Sequence, residues 1–138
     1  MSKMKMSLLA LLALVVAVGA SWLWGAWGRW TCEGQLREVE ISADLAEARA
    51  SLWAARVDVY ELNFGRASGN IERAKKALGA AAGRVEQAGR TDATAAIREA
   101  ITRAGEAQQL AGQVDQTANA RVADALRALA RATPPPQK

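Results

Sequence analysis

The chain has no histidine, one cysteine and three prolines, which sit together at Pro134, Pro135 and Pro136. Without histidine the commonest general base and the commonest metal ligand are missing. A single cysteine excludes an internal disulfide and any Cys/His metal cluster. No glycine-rich phosphate loop and no nucleophile elbow occurs in the sequence. The carboxylates fall mainly at helical surface spacing, which reads as a solvated face. Neither an enzyme nor a bound cofactor or metal is expected. Residues 33–132 hold no proline and no sustained apolar–polar alternation, so no strands are expected. Aromatics are scarce, and beyond residue 30 they are Trp53, Tyr60 and Phe64.

The net charge of +4 invites a nucleic-acid partner. Lys3, Lys5, Arg29 and Lys138 account for the whole excess, and the other charges balance. There is no basic patch with interleaved aromatics, so no nucleic-acid partner is expected. The balanced charges are also sorted. Residues 33–64 carry seven acidic side chains against three arginines, and residues 65–90 carry six basic against two acidic. Such neighbours favour pairing with each other. Exposed pairs are individually weak, roughly 0–1 kcal/mol, so the pattern bears on neighbour choice more than on stability.

The long apolar feature is the uncharged run Ser7–Gly28, preceded by Lys3 and Lys5 and closed by Arg29. As a helix this length reaches across a ~30 Å hydrocarbon layer. Trp22, Trp24, Trp27 and Trp30 gather at one end of it, as interfacial anchors do. The run reads as an uncleaved signal anchor over residues 7–30. The competing reading is a signal peptide cut after Ala20, at Val18-Gly19-Ala20. Under the anchor reading, basic residues 1–6 stay in the cytoplasm of a bacterial cell. The expected location is then the inner membrane, single-pass, with the C-terminal domain in the periplasm. Ala13, Ala17, Ser21 and Gly25 recur at every fourth position, a stripe that lets helices approach closely in lipid. Cys32 lies on about the same face, where it is a candidate for an intermolecular disulfide in a homodimer.

Residues 31–34 read as a link, residues 35–132 as a helical domain, and residues 133–138 as a solvated, proline-rich tail. In the first domain helix, near residues 35–63, one apolar stripe is Ile41, Leu45, Ala48, Leu52, Ala55, Val59 and Leu62. A second is Ala46, Ala50, Trp53, Val57, Tyr60 and Phe64. Two stripes predict a wide apolar face with more than one neighbour. The expected turn is Asn63-Phe64-Gly65, with glycine supplying the left-handed stop. A second helix follows over about 67–88, ended by Gly89, and Thr91 or Asp92 caps a third. Gly112 and Asp115 mark a break before a fourth. The seams of helices two to four are mostly alanine, which buries little area per residue at about 25 cal/mol per Å². The predicted fold is all-α, a transmembrane helix followed by an antiparallel four-helix bundle.

The segment Leu52–Leu78 resembles a single tetratricopeptide repeat. Trp53 and Tyr60 keep that family's Trp-to-Tyr spacing on a first helix, and Ala67, Ile71 and Ala74 fit its second. Arg56 and Val57 stand where the family has Leu and Gly, and the turn is about two residues short. The resemblance implies a helical hairpin of the kind used for protein binding. The expected function is a non-catalytic adaptor or accessory subunit of an envelope complex. Trp53, Tyr60 and Phe64 are its candidate partner contacts, with core packing against the second helix as their structural alternative. The rival readings are a spacer that self-associates through its membrane helix, and a cleaved, soluble binding or chaperone-like protein.

Overall fold

A computed structural model describes the backbone of residues 3–133 and the side chains of residues 12–23, 25 and 32–133. These residues form α1 (Lys3–Tyr60), α2 (Phe64–Gln87), α3 (Thr91–Gly112) and α4 (Ala118–Ala132), with no strand among them. The chain divides into two compact units, Met1–Glu38 and Val39–Lys138. The tail from Pro134 to Lys138 lies outside the described residues.

The first unit is helical wherever it is described, and α1 runs through residues 31–34, the stretch where the sequence leaves a break or a continuous helix open. The placement in the membrane is corrected. No helix among the described residues is long and apolar enough to cross a membrane. The expectation of a single-pass inner-membrane protein with a periplasmic domain does not stand. The side chains of Trp24, Trp27 and Trp30 lie outside the described residues, and Trp22 is exposed.

The second unit is an antiparallel four-helix bundle with an up-down-up-down course. Its polar contacts give the directions. On α1, Glu40 and Asp44 pair with Arg84 near the end of α2, while Asp58 meets Arg66 and Asn70 near its start. On α2 and α3, Glu86 pairs with Arg98, and Glu72 accepts from Gln108. Between α3 and α4, Glu99 pairs with Arg131, and Glu106 with Arg121. Arg49 of α1 donates to Thr133 just past α4, and Arg56 donates to Asn119 at its start, which closes the ring. The sorted charges of residues 33–90 thus do pair, α1 with α2.

The three turns share one construction. In each, two backbone N–H groups fold back on the preceding helix to cap its orphan carbonyls. Asn63 N donates to Asp58 O (2.7 Å) and Leu62 N to Val59 O (3.0 Å). Arg90 N and Gly89 N repeat the pattern on Val85 and Glu86, and Asp115 N and Val114 N repeat it on Leu110 and Ala111. This motif needs one residue in the left-handed region. Gly89 fills that place at φ 71°, but Leu62 (φ 62°) and Val114 (φ 58°) fill the other two. The first turn is therefore Glu61-Leu62, three residues before Gly65. Asn63 accepts from Arg66 N at 3.3 Å to cap α2, and Gly65 lies inside the first turn of that helix. α3 begins at Thr91 with no side-chain cap.

The interior follows the alanine spacing. Among the described residues, fifteen of the twenty-five buried apolar ones are alanine. Leu52, Ile71, Leu78, Ile97 and Leu129 are the largest fully buried side chains. Alanine carries the highest helix propensity and lets helix axes approach, so propensity and packing agree.

Two outcomes are expected from denaturant melts. Leu62→Gly and Val114→Gly should each raise stability, by about 0.5–1 kcal/mol, because the left-handed region costs other residues more than glycine's added chain entropy. Ala100→Leu should lower stability by about 1–3 kcal/mol, because a core lined by alanine has no space for three more carbons.

Candidate functional site

Position along α1 decides which apolar side chains enter the core. Ile41, Leu45, Ala48, Leu52, Ala55 and Val59 do so. The second stripe does not lie beside them. At 100° per residue, Ala46, Ala50, Trp53, Val57 and Tyr60 fall on the far side of the helix. All five are exposed, Trp53 at 52 %, Val57 at 54 % and Tyr60 at 84 %. Core packing as the role of Trp53 and Tyr60 is thereby excluded within this chain. Phe64 departs from them, because the turn at Leu62 starts a new helix before it. It is half-buried at the beginning of α2 and packs against the core.

Trp53 is held in place by its neighbours. The Arg56 guanidinium lies over its ring, 5.0 Å from the centroid. Arg56 Nε donates to Asn119 Oδ1 at 2.9 Å, which ties this arginine to α4. A shallow groove follows between α1 and α4, lined by Trp53, Arg56, Ala123, Leu126, Arg127 and Ala130. A tryptophan stacked by an anchored arginine presents a large surface at little entropic cost, as interface anchors do.

Of the other candidates, Ala13, Ala17, Ser21 and Gly25 are exposed in the first unit. The Ser21 hydroxyl donates to Ala17 O at 2.9 Å, and a side chain at Gly25 would meet open space. Cys32 is an exposed free thiol. No group of acidic or cysteine side chains among the described residues could hold a metal ion.

Four carboxylates make polar contacts that the sequence reading did not specify. Asp58 is a carboxylate only 1 % exposed, not a solvated one. It accepts from Asn70 Nδ2 at 2.6 Å and lies 3.1 Å from Arg66. The signal was present, since Asp44, Ser51 and Asp58 recur every seventh residue on the α2 side of α1. Between α2 and α3, Gln108 and Lys75 donate to Glu72 and hold its carboxyl below the ordinary range. On α4, Arg127 and then Arg121 do the same for Asp124, and the Thr117 backbone N–H does so for Asp115. Asp58 and Glu72 join neighbouring helices, whereas Asp124 and Asp115 bond within their own segments.

Compared with protein families, curated proteins and solved structures, the chain shows no match. The tetratricopeptide resemblance rests on Trp53, Tyr60, Ala67, Ile71 and Ala74 themselves, and α1 here touches α4 as well as α2.

The lowered carboxyls fix a direction in pH. A carboxyl whose folded value is depressed contributes stability that is fully present above its unfolded value, about 4. That contribution is lost as pH falls through the lower folded value. Thermal midpoints should therefore hold from pH 7 down to about 5 and fall below about 4. Asp124→Asn should make the acid limb shallower.

Proposed function

We propose that the helical bundle is a non-catalytic protein-interaction module, an adaptor or accessory subunit that receives a partner on the outer face of α1. The observation that carries this reading is the exposed row Trp53, Val57 and Tyr60, on the side of α1 away from its core. Scattered apolar residues are ordinary on a surface, whereas an aligned aromatic-rich row marks an interaction face. Arg56 and the α1–α4 groove supply its polar margin, the arrangement of an anchor with a wetter rim. An amphipathic helix or peptide lying along α1 fits such a row. The ion pairs among the described residues join helix to helix or lie within one helix, as in a scaffold.

The test is co-purification of the tagged full-length protein with mass spectrometric identification. A stoichiometric partner, retained by the parent chain and lost from Trp53→Ala, is the expected result. The same variant should keep its thermal midpoint within ~0.5 kcal/mol equivalent, because Trp53 is half exposed and outside the core. A partner retained equally by the variant, or a collapse of its fold, would overturn the reading.

A further inference from the structure

The outward row of α1 has more order than an amphipathic face requires. Within the bundle it comprises Val39, Ala43, Ala46, Ala50, Trp53, Val57 and Tyr60. The spacing alternates four, three, four, three, four, three. That is an unbroken seven-residue repeat over three heptads, with Ala43, Ala50 and Val57 at a and Val39, Ala46, Trp53 and Tyr60 at d. Every member is exposed. The large exposed apolar side chains of this unit are Val39, Trp53, Val57, Tyr60, Leu62 and Val114, and the first four lie on the row. The other two are the left-handed turn residues.

We infer that this row is the seam of a parallel, in-register coiled coil with α1 of a second copy of the chain. The inference rests on the interaction-module reading above and names its partner. A strict seven-residue repeat is complementary to another helix of the same repeat, because knobs from each must fall into holes on the other. The seam's small half, Ala43, Ala46 and Ala50, allows close approach. Its large half, Trp53, Val57 and Tyr60, supplies the buried area.

The flanking charges select the partner and its direction. On the side toward α2 the e positions are Glu40, Glu47, Ala54 and Glu61. On the side toward α4 the g positions are Ser42, Arg49 and Arg56. Two parallel copies place each g beside the e of the following heptad on the other chain. Arg56 then faces Glu61 of the second copy on both flanks, and no like charges meet. Two antiparallel copies, centred on Ala50, set Glu40 against Glu61 twice and Arg49 against Arg49. The one arrangement is attractive and the other repulsive, so sign alone chooses between them. Arg56 remains available, since its bond to Asn119 uses Nε and leaves the terminal amino groups.

The test uses the full chain with Cys32→Ser to remove the native thiol. Ala43→Cys should then form an oxidative cross-link to its own counterpart, and so should Ala50→Cys. Thr102→Cys, exposed on α3, sets the level of random collision. Trp53→Glu and Val57→Glu should each weaken dimerisation about tenfold or more in sedimentation equilibrium. Arg56→Glu and Glu61→Arg should each weaken it less, and the double reversal should restore it. Thermal melts of the charge variants separate lost association from lost folding. Cross-linking through Ala50→Cys without Ala43→Cys would overturn the parallel register. A monomer with neither cross-link above the Thr102→Cys level would overturn the second copy. If that monomer still held a different protein through Trp53, the interaction-module reading would survive and this inference would not.

Discussion

The second unit depends on an interior made largely of alanine. Each alanine removes little surface from water, so the hydrophobic contribution per buried residue is small. The gain is proximity, because helices whose facing residues end at Cβ can approach closely and keep high helix propensity. The larger buried side chains, Leu52, Ile71, Leu78, Ile97 and Leu129, are spread over all four helices. A core of this kind distinguishes poorly between alternative helix pairings, since one alanine face resembles another. Polar pairs at each helix junction supply the difference. Arg84 chooses α1 for α2, Gln108 chooses α2 for α3, and Arg131 chooses α3 for α4. Each is weak alone, but a wrong neighbour would lose the whole set.

One of these junctions also governs the outer face. Asp58 caps the first turn through its backbone carbonyl and binds Asn70 through its carboxylate. It therefore fixes where α1 stops and how α2 leaves. Val57 and Tyr60 sit immediately beside it and point away from the core. The residues that close the bundle and those that face out of it alternate in the last turns of one helix. The bonds of Asp58 hold the exposed pair on a fixed surface, which would lower the entropic cost of any binding there.

The helices were legible in the sequence because their apolar residues recur at threes and fours and no proline interrupts residues 33–132. The core stripe on α1 was right residue by residue up to Val59. Leu62 left it because it occupies the left-handed position of the turn. That position was expected at Gly65, where glycine meets no steric cost, and the chain instead places the cost on leucine. The two stripes of α1 were also misread as neighbours. A residue-by-residue list gives spacing within a stripe, but the angle between stripes appears only when both are wound at 100° per residue. The membrane reading rested on the run from Ser7 to Gly28, whereas no helix among the described residues is long and apolar enough to cross a membrane. The spacing of Asp44, Ser51 and Asp58 placed Asp58 on the α2 side of α1, but its burial follows only from Asn70 and Arg66 arriving from another helix.

The geometry of the outward row also limits the shape of whatever covers it. A straight α-helix turns 360° in 3.6 residues, so a seven-residue repeat slips by about 20° per heptad. Over the three heptads from Val39 to Tyr60 the row drifts by about 60° around α1. A flat sheet face would cover one end of the row and miss the other. A second helix can follow it, if the two wind around each other with a left-handed twist. The drift carries Tyr60 to the α4 flank of α1, the same flank from which Arg56 reaches Asn119. The aromatic end of the row therefore lies nearest the groove between α1 and α4, and its alanine end stands clear of that groove. A helix laid on the row would meet the small residues in close backbone approach, and its winding would then bring it over Trp53 and Tyr60 where the surface is widest. The seven-residue period, more than the exposure of any one aromatic, is what would suit a helix to this face.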